Sequence, residues 1–340
     1  MRKFLIAAVV AMVAAAALLW FRQQPERSTE PPPVASLLSG QGTSSATMTS
    51  SKVEKKAKWA LDGPDTSTNE MPARDFFEFF NSYFKDTSMG AERRFIVEGE
   101  SMVIEEIAFA GTLARPLERG SATGSRVGMR MLVLTWTSGD QITGGASFQN
   151  APTAFLRQMG KAPPGAGGVA PVPPIPASTE VIRGPADVGH VNAMRAAVGA
   201  FAKPDKGPMK SVFTKETRFV DIAENLTIVG ADDFLERLAP IENAFPDAAA
   251  TIDTIAGVGD YVIAAVQWEG THTGRLGKID ATGNTVKLRM GLVARFEGSK
   301  VAELRTYWSR NTLDFQAWPD PRSEPKEMDP DAPKAARTGV

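Results

Sequence analysis

The chain has 340 residues, 43% of them hydrophobic and 23% charged, with a formal net charge of −1 and no cysteine. That balance is globular, with length enough for two domains of ordinary size, and it offers no basic run to hold nucleic acid. The absence of cysteine removes disulfides, thiol nucleophiles and thiolate metal sites together.

Arg2 and Lys3 precede residues 4–21, eighteen positions without a charge, and Arg22 closes the stretch. As a helix it would span roughly 27 Å, close to the hydrocarbon thickness of a bilayer. Residues 1–22 therefore read as a transmembrane signal anchor or, with Ala15-Ala16-Ala17 as the cleavage site, as a signal peptide. Either form leaves the leading positive charges in the cytoplasm and exports the rest. The expected location is the cell envelope, anchored in the inner membrane or periplasmic or secreted. Residues 23–54 are rich in Pro, Ser and Thr and read as a disordered tether.

Residues 55–160 read as a first domain. A helix is expected over 73–84, carrying Phe76, Phe77, Phe79, Phe80, Tyr83 and Phe84, and strands over 102–111, 128–137 and 141–148. No opening helices are legible before Trp59, so this domain is expected to be divergent, with truncation left open. Residues 161–184 concentrate Pro, Gly and Ala with almost no charge, the composition of a stiff, extended linker.

The second domain, 185–318, opens with Val188, Val191, Met194, Val198 and Phe201 at helical spacing, stopped by Pro204. A helical turn around 209–213 and a strand beginning at Phe219 lead to a long helix over 231–245. That helix has Phe234, Leu235, Leu238, Ile241 and Phe245 on one face, and Pro246 ends it. From Ala249 the period changes to two, and strands over 261–271, 285–296 and 301–308 alternate as half-buried antiparallel strands do. Helices first and a curved antiparallel sheet afterwards is an α+β layout, with the helices over one face of the sheet. Residues 319–340 mix charges and prolines and read as a disordered tail.

The two domains share a register. Gly111-Thr112 recurs as Gly270-Thr271, Ala122-Thr123-Gly124 as Ala281-Thr282-Gly283, and Gly139 as Gly298. The differences 270 − 111, 281 − 122 and 298 − 139 are all 159. A period of that length is a whole domain, so the chain reads as a tandem duplication whose copies have diverged.

GDYVIAAVQWEGTHTG, then ATG, then FEGSKVAELRTYW, within about 192–315, resemble the SnoaL-like polyketide cyclases of the NTF2-like superfamily. GTLARPLERGSATG and ASFQNAPTAFLRQMG in the first domain resemble the same family's later strands and terminal segment. The resemblance implies two cone-shaped NTF2-like α+β barrels, each enclosing a deep, mostly apolar pocket. It also implies pairing through the open face of the sheet, either between the two domains of one chain or in a homodimer. In the cyclases an aspartate near the start of the final strand acts as general acid/base. Here that position falls on Thr306, flanked by Arg305 and Tyr307, and Ser309 stands where the family often has a strand-end aspartate. None is a carboxylate, so the cyclase chemistry does not carry over.

The remaining candidates come from the residues themselves. His272, one of two histidines, shares strand parity with Ala264, Val266, Trp268 and Gly270, which would turn it and Trp268 to the pocket mouth. There it could move protons near neutral pH, or sit as a rim histidine bonded to backbone. Asp221 follows the first strand, either as a pocket-wall carboxylate with a raised pKa or as a solvated loop residue. If the two meet, they form an acid/base couple. Trp268, Thr306 and Trp308 are candidate ligand-binding residues, and the aromatic pair reads equally as core. Lys287 and Arg289, opposite the Val286/Leu288/Met290 face, point to solvent or to a domain interface. No P-loop, dinucleotide fingerprint, metal-ligand spacing or serine elbow calls for a cofactor. Two functions stay open: binding of a small hydrophobic molecule or an envelope partner, or a cyclase- or isomerase-type enzyme using His272 and Asp221.

Overall fold

The structure, a computed structural model, describes residues 53–61, 70–72, 83–97, 99, 101–115, 124–138, 141–149, 158, 171–201, 206–222 and 224–317. Among these residues no helix is long and apolar enough to cross a membrane. The expected signal segment, nearly all of the tether, and the tail lie outside the described residues.

The first unit is built on β1 (Val53–Leu61), β2 (Glu70–Pro72), β3 (Phe84–Ile96), β4 (Met102–Leu113), β5 (Arg126–Ser138) and β6 (Gln141–Phe148), joined at its edge by β7 (Glu180–Ile182). The second contains α1 (Val188–Ala200), α2 (Gly207–Val212), β8 (Arg218–Asp221), β9 (Leu226–Val229) and α3 (Ala231–Ala244). It continues with β10 (Ala249–Val258), β11 (Tyr261–Thr271), β12 (Thr285–Glu297), β13 (Lys300–Tyr307) and α4 (Arg310–Ala317). The sheet orders are β2-β1-β6-β5-β4-β3-β7 and β10-β11-β12-β13-β8-β9. Read from the same end, the second is the first without β7. In both, the strand nearest the start of the unit pairs parallel to the last strand, β1 with β6 and β8 with β13, and the other pairings within each six-stranded plan are antiparallel.

The 159-residue register maps strand onto strand. Subtracting 159 from the bounds of β12 gives 126 and 138, and from those of β13 gives 141 and 148, which are the bounds of β5 and β6. The turn hydrogen bonds repeat as well. Gly283 N donates to His272 O and His272 N to Asn284 O, as Gly124 N donates to Leu113 O and Leu113 N to Ser125 O. Gly124 and Gly283 hold φ of 88° and 71°, which L-residues rarely adopt, so the repeated glycine is a backbone requirement.

In the second unit the helices cover one face of the sheet. Asp187 caps α1 through Gly189 N at 2.6 Å. Met194, Ala197 and Val198 then pack with Phe219, Phe234, Val262, Ala264, Val266 and Leu292. Much of the other face is covered as well. Tyr261, Ile263, Ala265, Val293 and Tyr307 share a core with Phe95, Met102, Ile104, Leu132, Leu134 and Phe148 of the first unit. Strands expected to be half-buried are therefore buried on both sides, and Tyr261 through Val266 has no exposed position. The sheets approach closely at Gly291, where a Cβ would lie 2.6 Å from Leu132 Cδ2 and 3.0 Å from Phe148 Cγ. Leu132 is the register equivalent of Gly291 (291 − 159), so the two β5/β12 strands cross at matching positions. Arg289 reaches the same interface, its guanidinium 5.6 Å from the centre of the Phe148 ring. Lys287 instead pairs at the surface with Glu269.

A buried polar cluster ties the units together. Tyr307 Oη donates to Glu106 Oε1 at 2.5 Å, and Arg93 Nη1 donates to Glu106 Oε2 at 2.8 Å. Arg305 reaches Glu92 at 3.1 Å and Glu106 at 3.4 Å. Burial and the adjacent Glu106 push the Tyr307 phenol well above its ordinary pKa, so it acts as a donor throughout the physiological range.

Two sequence expectations are corrected here. The linker is not a free spacer along its whole length, because Glu180–Ile182 pairs parallel to β3. Before that strand, Val172, Pro173, Ile175 and Pro176 lie against Gly128 and Gly90, where a Cβ would fall 2.8 Å from Val172 Cγ1 and 3.0 Å from Pro176 O. Gln158 clamps the same place, accepting from Gly128 N and donating to Gly128 O, both at 2.8 Å. Nor does the helix expected over 73–84 include Phe84, which opens β3 and packs edge-on against Phe109 at 5.3 Å. Residues 73–82 lie outside the described residues.

Candidate functional site

Between α3 and the helix-facing side of the second sheet lies a cavity of about 530 Å³. Phe219 and Phe234, stacked at 3.9 Å, line one wall, and Phe245, Trp268 and Leu288 line another. The polar lining comes from Asp221, Glu224, Arg237, Glu242, Asn243, Thr306 and Trp308. Most of the surface is aromatic or aliphatic, as in small-molecule sites generally.

Strand pairing sets the position of the carboxylate. Asp221 ends β8 directly beside Thr306 of β13, and Ile222 N donates to Thr306 O at 3.1 Å. Alternation along β13 sends Arg305 and Tyr307 to the unit interface and Thr306 to the cavity. Trp308, one step past the strand, also lines the cavity and donates its indole N–H to Asp221 at 3.2 Å and 3.3 Å from the two oxygens. Glu224 N donates to the same carboxylate at 3.1 Å. Burial outweighs these donors and raises the Asp221 pKa to about 6.

Asp221, Trp268, Thr306 and Trp308 thus line one cavity. His272 is not among its lining residues. The ring is fully buried, 0% exposed, rather than at a mouth, and lies 5.2 Å from Phe245 on the far side of that wall. Its Nδ1 is 3.0 Å from Thr282 Oγ1, and Thr282 donates its only hydroxyl hydrogen to Ala317 O at 3.0 Å. Nδ1 must therefore be the donor in that contact. Among the described residues Nε2 has no partner. His272 and Asp221 do not bond to each other: Asp221 accepts from Trp308 and Glu224 N, and His272 Nδ1 lies against Thr282. The parity holds for Trp268, but β11 ends at Thr271, and beyond it the turn folds the histidine under α4.

Several participants escape the sequence reading, Arg237, Glu224 and Leu313 among them. Arg237 and Glu224 come from α3 and the β8–β9 turn, where nothing in the local pattern separates a cavity residue from a solvated one. Leu313 lies on α4, whose Leu313 and Ala317, spaced by four and both buried, are the available signal. Among the described residues no three His, Asp or Glu side chains converge to hold a metal ion.

Helices closing one face of a curved mixed sheet over a mostly apolar cavity define a cone-shaped α+β barrel. Residues 193–317 match the family model of the SnoaL-like polyketide cyclases. Solved structures resemble the chain over a similar share. A protein of Jannaschia sp. CCS1 described as a SnoaL-like polyketide cyclase is 15% identical, covering 41% of this chain and 98% of its own, with a TM-score of 0.38. IdmH of Streptomyces antibioticus, described as a polyketide cyclase, is 18% identical over 37% and 96% of the two chains, with a TM-score of 0.34. A protein of Shewanella denitrificans OS-217 with the same description as the first is 12% identical over 38% and 97%, with a TM-score of 0.34. None of the curated proteins matches the chain.

Proposed function

We propose that the second unit binds a small, largely apolar molecule in its cone, with Asp221 as the group that meets the ligand's polar end. The observation that carries this is the placement of the half-buried Asp221 carboxylate, bonded by the Trp308 indole, in the wall of a mostly apolar cavity of about 530 Å³. Nile red, a neutral solvatochromic dye, provides a test. The wild-type chain should shift and brighten its emission at micromolar dye, and Thr306→Trp, which places an indole in the cavity, should abolish the response. An unchanged response in that variant, or none in the wild type, would overturn the reading.

A second reading, acid/base catalysis, is favoured by the same carboxyl. A group titrating near 6 is largely ionised at neutral pH yet basic enough to take a proton from a ligand carbon or oxygen. Asp221 alone would carry that step, because His272 packs behind Phe245 and is bonded to Thr282. Turnover should then rise with pH through about 6 and vanish in Asp221→Asn.

We also propose that the protein works in the cell envelope, on the strength of the uncharged stretch 4–21 between Arg2-Lys3 and Arg22. Alkaline phosphatase fused after residue 52 should be active in cells, since it matures only after export. An inactive fusion would place the chain in the cytoplasm.

A further inference from the structure

We infer that the ligand of the second cone is an apolar amine, held as its cation by Asp221 against an aromatic wall. This rests on the ligand-binding reading above and narrows it to one chemical class. Asp221 takes part in no ion pair among the described residues; its donors are Trp308 Nε1 and Glu224 N. A carboxylate can accept about four hydrogen bonds, so lone pairs remain for a donor entering from the cavity. Burying an anion without a cation is costly, and a matching cation relieves that cost.

The charges nearest this carboxylate point the same way. Glu224, itself in the lining, opposes ionisation of Asp221 more strongly than Arg237 favours it. Arg237 is exposed at the rim, and Glu242 is already paired with Lys206. A carboxylate ligand would meet two acidic groups at the closed end of the cavity. A neutral ligand would leave Asp221 without a counter-ion.

The rest of the lining suits a cation carried on a hydrophobic body. Phe201, Phe219, Phe234, Phe245, Trp268 and Trp308 supply six aromatic side chains around the cavity. Ring faces attract cations, most strongly where water is excluded, while the same rings accept an apolar scaffold by area burial.

Three probes of nearly one shape separate the possibilities: naphthylmethylamine, naphthylmethanol and naphthoate, titrated calorimetrically into the full-length chain at pH 7.5. The amine should bind at least tenfold more tightly than the alcohol, with naphthoate weakest. Asp221→Asn should shrink the amine's advantage to about twofold or less. The wild-type chain offers the same check without a variant, since the advantage should fade as pH drops below about 6 and Asp221 takes up a proton. An alcohol that binds as tightly as the amine, or an amine preference surviving both Asp221→Asn and acid, would overturn the inference while leaving the ligand-binding reading in place. Naphthoate binding most tightly would likewise overturn it and point to Arg237. No binding by any of the three would sink both readings together.

Discussion

The two cones share a strand plan and differ in what fills them. In the second, Ala264 and Ile255 face each other across β11 and β10 on the helix side. The matching pair in the first is Glu105 (264 − 159) and Arg94, hydrogen-bonded at 2.6 Å and almost wholly buried. Burial raises the Glu105 pKa and lowers that of Arg94. Leu304 of the second cone corresponds to Gly145 (304 − 159), where a Cβ would lie 2.2 Å from the Trp59 ring. Trp59 thus occupies space in the first cone where the second has a modest aliphatic side chain. The strands keep one register while the interiors part: the first unit holds a buried ion pair and the Trp59 ring, the second a mostly apolar cavity with Asp221 in its wall.

The largest effect should come from breaking the ion pair that sets the first cone apart. Glu105→Ala strands a buried guanidinium and should cost about 3 kcal/mol or more in urea unfolding. Arg94→Met with Glu105→Leu, which brings the first cone towards the second in character, should recover most of that loss. If the single and double variants are equally unstable, the pair does not account for the difference between the cones.

A smaller effect is expected where the units meet. Glu106→Ala removes the acceptor of Tyr307, Arg305 and Arg93 and should cost about 3 kcal/mol. Tyr307→Phe removes one charge-assisted hydrogen bond and should cost about 2 kcal/mol. Both losses should appear as one cooperative transition if the sheets unfold together, and separate transitions would show that each cone is stable alone.

The smallest shift concerns Asp221 and has no counterpart in the first cone. Its folded carboxyl titrates at about 6 against 3.8 for the free side chain. Between those values the folded state holds a proton that the unfolded chain has shed, so stability falls as pH rises from about 4 to about 6. Asp221→Asn should leave stability near pH 4 little changed and raise it at pH 7 by less than about 3 kcal/mol, the shift of the partly exposed carboxyl being reduced by solvent screening. An equal effect at both pH values would mean that the carboxyl is not held in a desolvated site.

Legibility followed the range of the interactions involved. The helices over 188–200 and 231–244 and the strands 261–271, 285–297 and 300–307 rest on periodicity and on turn glycines, and those signals are local. β3 is invisible to periodicity because its register shifts twice, between Lys85 and Ser88 and between Ala91 and Arg93, and Asp86 sits at φ 51°. Such irregularities destroy the alternation by which a strand is recognised. For the site, Asp221 and Trp308 can be nominated one at a time, but their hydrogen bond spans 87 residues. Extending strand parity one residue past the point where the strand stops misplaces His272.

By itself the sequence determined the 159-residue register that the two units share and the α+β order of the second unit, because spacing and backbone conformation are properties of neighbouring residues. Only the tertiary structure decided that both faces of β11 are buried over Tyr261 to Val266, that part of the linker becomes a strand, and that His272 lies behind a wall rather than in a pocket. Those outcomes depend on which distant surface covers a given face, and a chain segment carries no record of its partner. Gly291 marks the boundary between the two: the missing side chain is plain in the sequence, but Leu132, the reason for it, is found only by folding.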